Sequence, residues 1–172
     1  MNIITASLSQ TGPRASNQDV IGELIGHRAA CFIACDGVAG QPGGDVAARL
    51  ACDTILSHFD GDKELNAKYI RGCVHEAMRA IAREQRAERS LSRMGTTLVS
   101  LFIDRQHHLA WWAHAGDSRL SLFRRGRLHQ VTTDHSLVQR MKTAGHQTEG
   151  VSENLLYLAL GMSGEADEAS YC

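Results

Sequence analysis

The stretch that decides the fold is Ala29-Ala-Cys-Phe-Ile-Ala-Cys-Asp-Gly-Val-Ala-Gly-Gln-Pro-Gly-Gly44. Its first seven residues are all apolar, the pattern of a strand buried on both faces. Asp36 ends the run, and four glycines follow within eight residues. A carboxylate at the exit of a buried strand, beside exposed backbone carbonyls, offers the hard oxygen ligands that Mg²⁺ and Mn²⁺ prefer. A loop leading into a helix also presents backbone N–H groups to a phosphate. The segment is neither a Walker loop, since the G-K-[ST] ending is missing, nor a G-x-G-x-x-G dinucleotide turn.

Working outward, residues 3–8 and 20–25 read as further strands. Asp45 is placed to cap a helix through Val46, Leu50, Ile55 and Phe59, which Gly61-Asp62 ends. Ile70, Val74, Ala77, Met78 and Ile81 recur at helical spacing and predict a second helix over 67–89. Strands are expected at 96–103, 109–114, 120–123 and 128–131, then a short helix at 135–143 ended by Gly145. Strands, two helices and an antiparallel run of strands make an α+β layout, not a doubly wound parallel sheet. Adjacent Trp111 and Trp112 would point to opposite faces of their strand.

The 172 residues suffice for one core, and no repeat or low-complexity linker divides them, so 1–172 reads as a single domain. Lys plus Arg is 18 and Asp plus Glu is 19, a net charge of -1. That balance argues for neither a nucleic-acid nor a membrane partner. No apolar run is long enough to span a bilayer, and the first ten residues lack signal-peptide features, so the expected compartment is the cytoplasm. The five cysteines, Cys31, Cys35, Cys52, Cys73 and Cys172, form no C-x-x-C pair. They suggest neither a disulfide framework nor a thiolate zinc site.

Four more segments carry chemistry-bearing residues. Thr11-Gly-Pro-Arg-Ala-Ser-Asn-Gln-Asp19 places Arg14, a planar fork suited to phosphate, near the oxygen donor Asp19, although the same residues also make a polar turn. Met94-Gly-Thr-Thr97 enters a strand. Ala115-Gly-Asp-Ser-Arg119 turns between two strands with Asp117 at its tip. Thr132-Thr-Asp-His-Ser-Leu137 reads as a helix start with Asp134 near the cap.

Taken together and in this order, the five segments resemble the type 2C metal-dependent serine/threonine protein phosphatases, with the bacterial branch the nearer. That family shows R-x-x-N-[EQ]-D, D-G-x-x-G, G-T-T, A-G-D-S-R and D-H-S in sequence, and the likeness covers essentially the whole chain. It implies a central sandwich of two antiparallel β-sheets flanked by helices. It also implies hydrolysis of phosphoserine or phosphothreonine in proteins by a water activated between two divalent ions, Mn²⁺ or Mg²⁺, with no covalent phosphoenzyme. Asp36 would bridge the two ions, and Gly37 would lend its backbone carbonyl to one. Asp19, with Gln18 beside it, would hold metal-bound water or stand behind the direct ligands. Asp117 would match the aspartate of a third, weaker ion. Arg14 would grip the substrate phosphate, and Thr96 and Thr97 would be structural. The implied partner is a phosphorylated protein, the target of a cognate serine/threonine kinase.

The chain departs from the family in three places. Gln18 stands where many relatives have Glu. Gln41 stands where bacterial relatives often have His, which leaves the general acid unassigned. The family's two later metal aspartates, in S-D-G and D-N segments, are missing: after Asp134 the carboxylate side chains are Glu149, Glu153, Glu165, Asp167 and Glu168, in no such context. The expectation is an incomplete domain with exposed sheet edges and apolar surface, weak metal binding and little activity. The alternative is a non-catalytic fragment that binds a phosphoprotein or a kinase.

Other readings are weaker. Cys73 and Arg79 satisfy C-x5-R, but the segment has no glycine and sits mid-helix, where its N–H groups are already used. The nine histidines read as solvated or packed, with His135 the one to test as a proton carrier. Arg79, Arg83 and Arg86 share one helix face, with Arg89 and Arg93 beyond and Glu84 and Glu88 interleaved. That pattern reads as a solvated face, or as a docking surface for an acidic partner.

Overall fold

The computed structural model describes residues 1–152 and 154–162 and the backbone of 170–171. Glu153, Glu165, Asp167, Glu168 and Cys172 lie outside the described residues. The elements run β1 (Asp19–Ile25), β2 (Ala29–Asp36), α1 (Gly44–His58), α2 (Ala67–Ala87), β3 (Leu98–Asp104), β4 (Leu109–Ala115), β5 (Ser121–Arg124), β6 (Arg127–Val131), α3 (Leu137–Thr143) and β7 (Ser170–Tyr171). Strands β1-β2-β3-β4-β7 form one antiparallel sheet in that order, and β5-β6 form a separate hairpin. The expected α+β class with antiparallel sheets is what folds.

Alternation along the strands sends one side-chain set toward the helix pair. Cys31, Ile33 and Cys35 of β2, Leu98 and Phe102 of β3, and Ala113 and Ala115 of β4 join one core with α1 and α2. Small residues on α1, including Ala47, Ala48 and Ala51, are fully buried and let the helix lie close on the sheet. Trp111 packs toward this core, so the adjacent Trp112 faces the other way. On that other face Ile21 and Ile25 remain 46% and 44% exposed. No helix among the described residues is long and apolar enough to cross a membrane.

Several local expectations need correction. Residues 3–8 form no strand: Ile4 is 91% exposed, and no described strand lies alongside to complete a ladder. Asp45 is not the cap of α1. The helix starts two residues earlier, at Gly44, with Gly43 as N-cap at φ 82°, and Asp45 lies in the first turn, where its charge complements the helix N-terminus. Thr96 and Thr97 stand outside β3: the Thr96 backbone pairs with Leu160, and the Asp36 N–H donates to the Thr97 hydroxyl in place of a ladder carbonyl. Helix α3 begins at Leu137, capped by the Ser136 hydroxyl accepting from the Gln139 N–H, and Asp134 is occupied elsewhere. Gly145, at φ 75°, ends it as predicted, with the His146 N–H donating to the Met141 carbonyl.

Phe102 is fully buried, its ring 5.8 Å from that of Phe59. Phe102→Ala is expected to cost about 3–5 kcal/mol, read from urea midpoints, whereas Leu109→Ser at the exposed strand end stays within about 0.5 kcal/mol. A Phe102→Ala change as small as that of Leu109→Ser would contradict the core described here.

Candidate metal centre

Asp36 ends β2 and is paired in register with Asp19 on β1. Both of its backbone groups are held from the threonine pair. The Asp36 N–H donates to Thr97 Oγ1 at 3.0 Å, and the Asp36 carbonyl accepts from the Thr97 N–H at 2.8 Å and from Thr96 Oγ1 at 3.0 Å. Both threonines are buried, so these bonds are shielded from water. Thr97 Oγ1 also lies 2.7 Å from Ser118 Oγ, which ties the Asp117 turn to the same point. Two glycines permit the close approach. A Cβ on Gly116, at φ 105°, would lie 2.7 Å from Thr97 Cγ2, and one on Gly37 would lie 2.4 Å from the Gly44 carbonyl carbon.

The Asp36 carboxyl is pushed up to about 6. Partial burial is the largest cause, followed by the charge of Asp19 and a hydrogen bond with it. Arg14 pulls the other way, and Asp117 adds further repulsion. The structure therefore brings four predicted residues, Arg14, Asp19, Asp36 and Asp117, into one electrostatic neighbourhood. Gln18 is half-buried against the glycine loop, and its carbonyl accepts from the Gly37 N–H at 3.2 Å. Facing carboxylates whose repulsion a cation would relieve suit a hard divalent ion. Among the described residues, however, no group of three or more His, Cys, Asp or Glu side chains converges to hold one. The donors are of the right kind, and backbone oxygen or water would have to complete the coordination.

His135, predicted as a proton carrier, has another occupation. Its N–H donates to the Gly116 carbonyl at 2.8 Å, and its Nδ1 accepts from the Gly116 N–H at 3.2 Å. The ring stacks on His114, centroids 4.6 Å apart, with Tyr157 edge-on at 5.7 Å. Burial, then the neighbouring His114, pushes the His135 imidazole down to about 4, so it is neutral at physiological pH. It holds the turn that carries Asp117. One step away, Arg119 grips Asp134 with two bonds of 2.7 and 2.6 Å, which keeps the Asp134 carboxyl below the usual range. Ser118, Arg119 and His114 were missed as supporting residues. Motif order alone did not say that A-G-D-S-R and D-H-S bond to each other.

A family model described as "Protein phosphatase 2C" matches residues 9–159. The chain belongs to this family. Among curated relatives of this phosphatase 2C chain, protein phosphatase PhpP of Streptococcus pneumoniae is 30% identical over 167 residues, covering 88% of this chain and 65% of PhpP. The chain thus spans a little less than two thirds of that relative's length. Among solved structures, the catalytic domain of serine threonine protein phosphatase PstP in complex with two manganese ions is 30% identical with a TM-score of 0.73, covering 92% of this chain and 66% of that one. Serine/threonine phosphatase Stp1 from Staphylococcus aureus, 22% identical over 96% of this chain and 67% of its own, shares the fold with a TM-score of 0.81. The rival cysteine chemistry has no support: Cys73 is buried in α2, and burial pushes its thiol up to about 11.

Two outcomes are expected. Thr97→Val removes the acceptor of the Asp36 N–H while keeping the shape, and should cost about 1–3 kcal/mol in chemical denaturation; a cost near zero would mean that the bond is not shielded. Because the folded His135 refuses a proton that the unfolded chain accepts, stability should fall as pH drops from 6.5 toward 4. His135→Gln should make that slope shallower in urea midpoints compared at about pH 7.5, above that window, and about pH 5, inside it, and equal slopes would contradict the neutral ring.

Proposed function

We propose that this protein hydrolyses phosphoserine and phosphothreonine in other proteins, at a centre built on Asp36. The observation that carries the reading is the facing pair Asp19 and Asp36, held at a strand end beside Arg14. The PstP relative, whose structure contains manganese, and the serine/threonine phosphatase names of the matched relatives support it. They favour turnover over a non-catalytic phosphoprotein-binding or kinase-binding module.

The roles follow from the residues. Arg14 would hold two phosphate oxygens through its guanidinium fork. Asp36 and Asp19, with the Gly37 carbonyl, would hold the principal divalent ions, Mn²⁺ or Mg²⁺, and Asp117 would approach a third. Such ions, when bound, neutralise phosphate charge and acidify water. Gln18 would orient water beside Asp19. Thr96 and Thr97 keep Asp36 from turning away as the charge around it changes. His135 and Asp134 fix the turn that carries Asp117. The substrates would be cytoplasmic products of a cognate serine/threonine kinase. The single core shared by sheet and helices supports treating the chain as one domain.

The test is Mn²⁺-dependent hydrolysis of a phosphothreonine peptide and of p-nitrophenyl phosphate. Asp36→Asn is expected to lower kcat/KM by about 100-fold or more, and Arg14→Ala to raise KM for the peptide by about tenfold. Turnover that survives Asp36→Asn unchanged would overturn the assignment.

A further inference from the structure

A cavity of about 680 Å³ opens between α2, the loop that follows Asp36 and the segment at 154–162. Val38, Met78, Leu156 and Met162 give it an apolar floor, while Arg79 and Arg93 reach it as exposed cations. Among the described residues its lining contains these two guanidinium groups and no carboxylate. Arg79 is already paired with Glu76 at 2.8 Å, but Arg93 has no ion-pair partner among the described residues. Arg83 and Arg86, on the helix face read from the sequence, and Arg89 beyond it add positive charge at the same end of α2, with Glu84 and Glu88 interleaved. The interleaved Glu88 is turned into its own backbone, accepting from the Ser90 N–H and hydroxyl.

The cavity is preformed. Gln85 Nε2 donates to the Met94 carbonyl at 2.8 Å and to the Gly161 carbonyl at 2.7 Å, so one half-buried amide holds α2 against both flanking segments. The volume lies within the range of pockets that enclose side chains, about 300–1,000 Å³. The wall contributed by Val38, Ala39 and Gln41 belongs to the loop that starts at Asp36 and Gly37.

We propose that this cavity is a docking site for an acidic peptide segment of a partner protein, which seats a bulky apolar side chain on the floor and its carboxylates on Arg93 and Arg79. The phosphatase reading enters only in identifying that partner as a substrate phosphoprotein. Exposed guanidinium groups above an apolar floor, Arg93 without an ion-pair partner among the described residues, select for acid and hydrophobe together. A bare polyanion satisfies only the rim, and an uncharged apolar peptide only the floor. The basic ridge adds a longer-range attraction that salt weakens.

The experiment is fluorescence anisotropy of a short fluorescein-labelled peptide of glutamates around a central phenylalanine, titrated with the folded protein. Arg93→Glu is expected to weaken binding by about tenfold or more. Replacing the peptide's phenylalanine with glycine should weaken it by a similar factor, because the buried ring is lost. Arg93 is exposed, so an unchanged circular-dichroism melt shows that its variant is folded. Hydrolysis of p-nitrophenyl phosphate, which carries no peptide, should be the same in Arg93→Glu as in the parent. Peptide binding that ignores both changes, no binding at all, or equal binding of an oligonucleotide of the same charge would each overturn the docking site. Peptide binding without any phosphatase turnover would sink the catalytic reading alone, and turnover without peptide binding would sink this one alone.

Discussion

Everything at the site hangs on the bonds from Thr96 and Thr97 to the backbone of Asp36. A carboxylate that faces Asp19 and Asp117 is pushed outward by like charge, and its ionised form is disfavoured, as its raised pKa records. Side-chain packing alone resists such a push poorly, because an aspartate has two free torsions. Fixing both the N–H and the carbonyl of that residue from buried threonine partners removes the backbone from the problem. The strand end can then present a high density of negative charge without fraying. The β-branched shape of threonine adds to this, since its χ1 is restricted and the hydroxyl is delivered in one direction.

The same hydroxyl carries the constraint sideways. Thr97 Oγ1 touches Ser118, the neighbour of Asp117, and Gly116 on the other side of Asp117 is bonded twice to His135. Asp134, next in line, is forked by Arg119 from the far end of the same turn. The turn that carries Asp117 is therefore gripped before and after its tip by residues from two separate stretches of sequence. Loops that bear function are usually the mobile parts of a protein. Here the loop is made rigid by partners that have no chemical role of their own.

Much of this was legible in the sequence, and the failures have physical reasons. The buried strand ending at Asp36 was readable because an unbroken apolar run has few alternatives, and the helices because their apolar periods were long. The neighbourhood of Arg14, Asp19, Asp36 and Asp117 was implied by the family resemblance that the ordered motifs carry. The strand at 3–8 was a false reading because alternation predicts only that a face is ready to be buried, and a ladder needs a neighbour that sequence does not supply. Asp45 was taken for a cap because capping preference is a composition rule. Gly43, two residues before it, adopts the left-handed turn that starts the helix two residues sooner than an Asp45 cap would. His135 was read as a proton carrier because a polar residue in a motif suggests chemistry, yet its burial against His114 makes the charged form unfavourable. None of these three could be decided without knowing what lies alongside.

The glycine loop joins two surfaces that the sequence treats as one motif. Asp36 and Gly37 face the carboxylates, while Val38, Ala39 and Gln41 line the cavity beside α2. The backbone between them has little slack. Gly37 rests against Gly44, its N–H is bonded to the Gln18 carbonyl, and the Val38 N–H is bonded to the Gly95 carbonyl at 2.9 Å. The cavity wall here is therefore a segment pinned on both sides. Any coupling to the carboxylates would pass through the backbone of two residues, Gly37 and Val38. The absence of a side chain at Gly37 keeps the carboxylate end and the cavity wall in direct register, which is a constraint on this loop independent of any ion it holds.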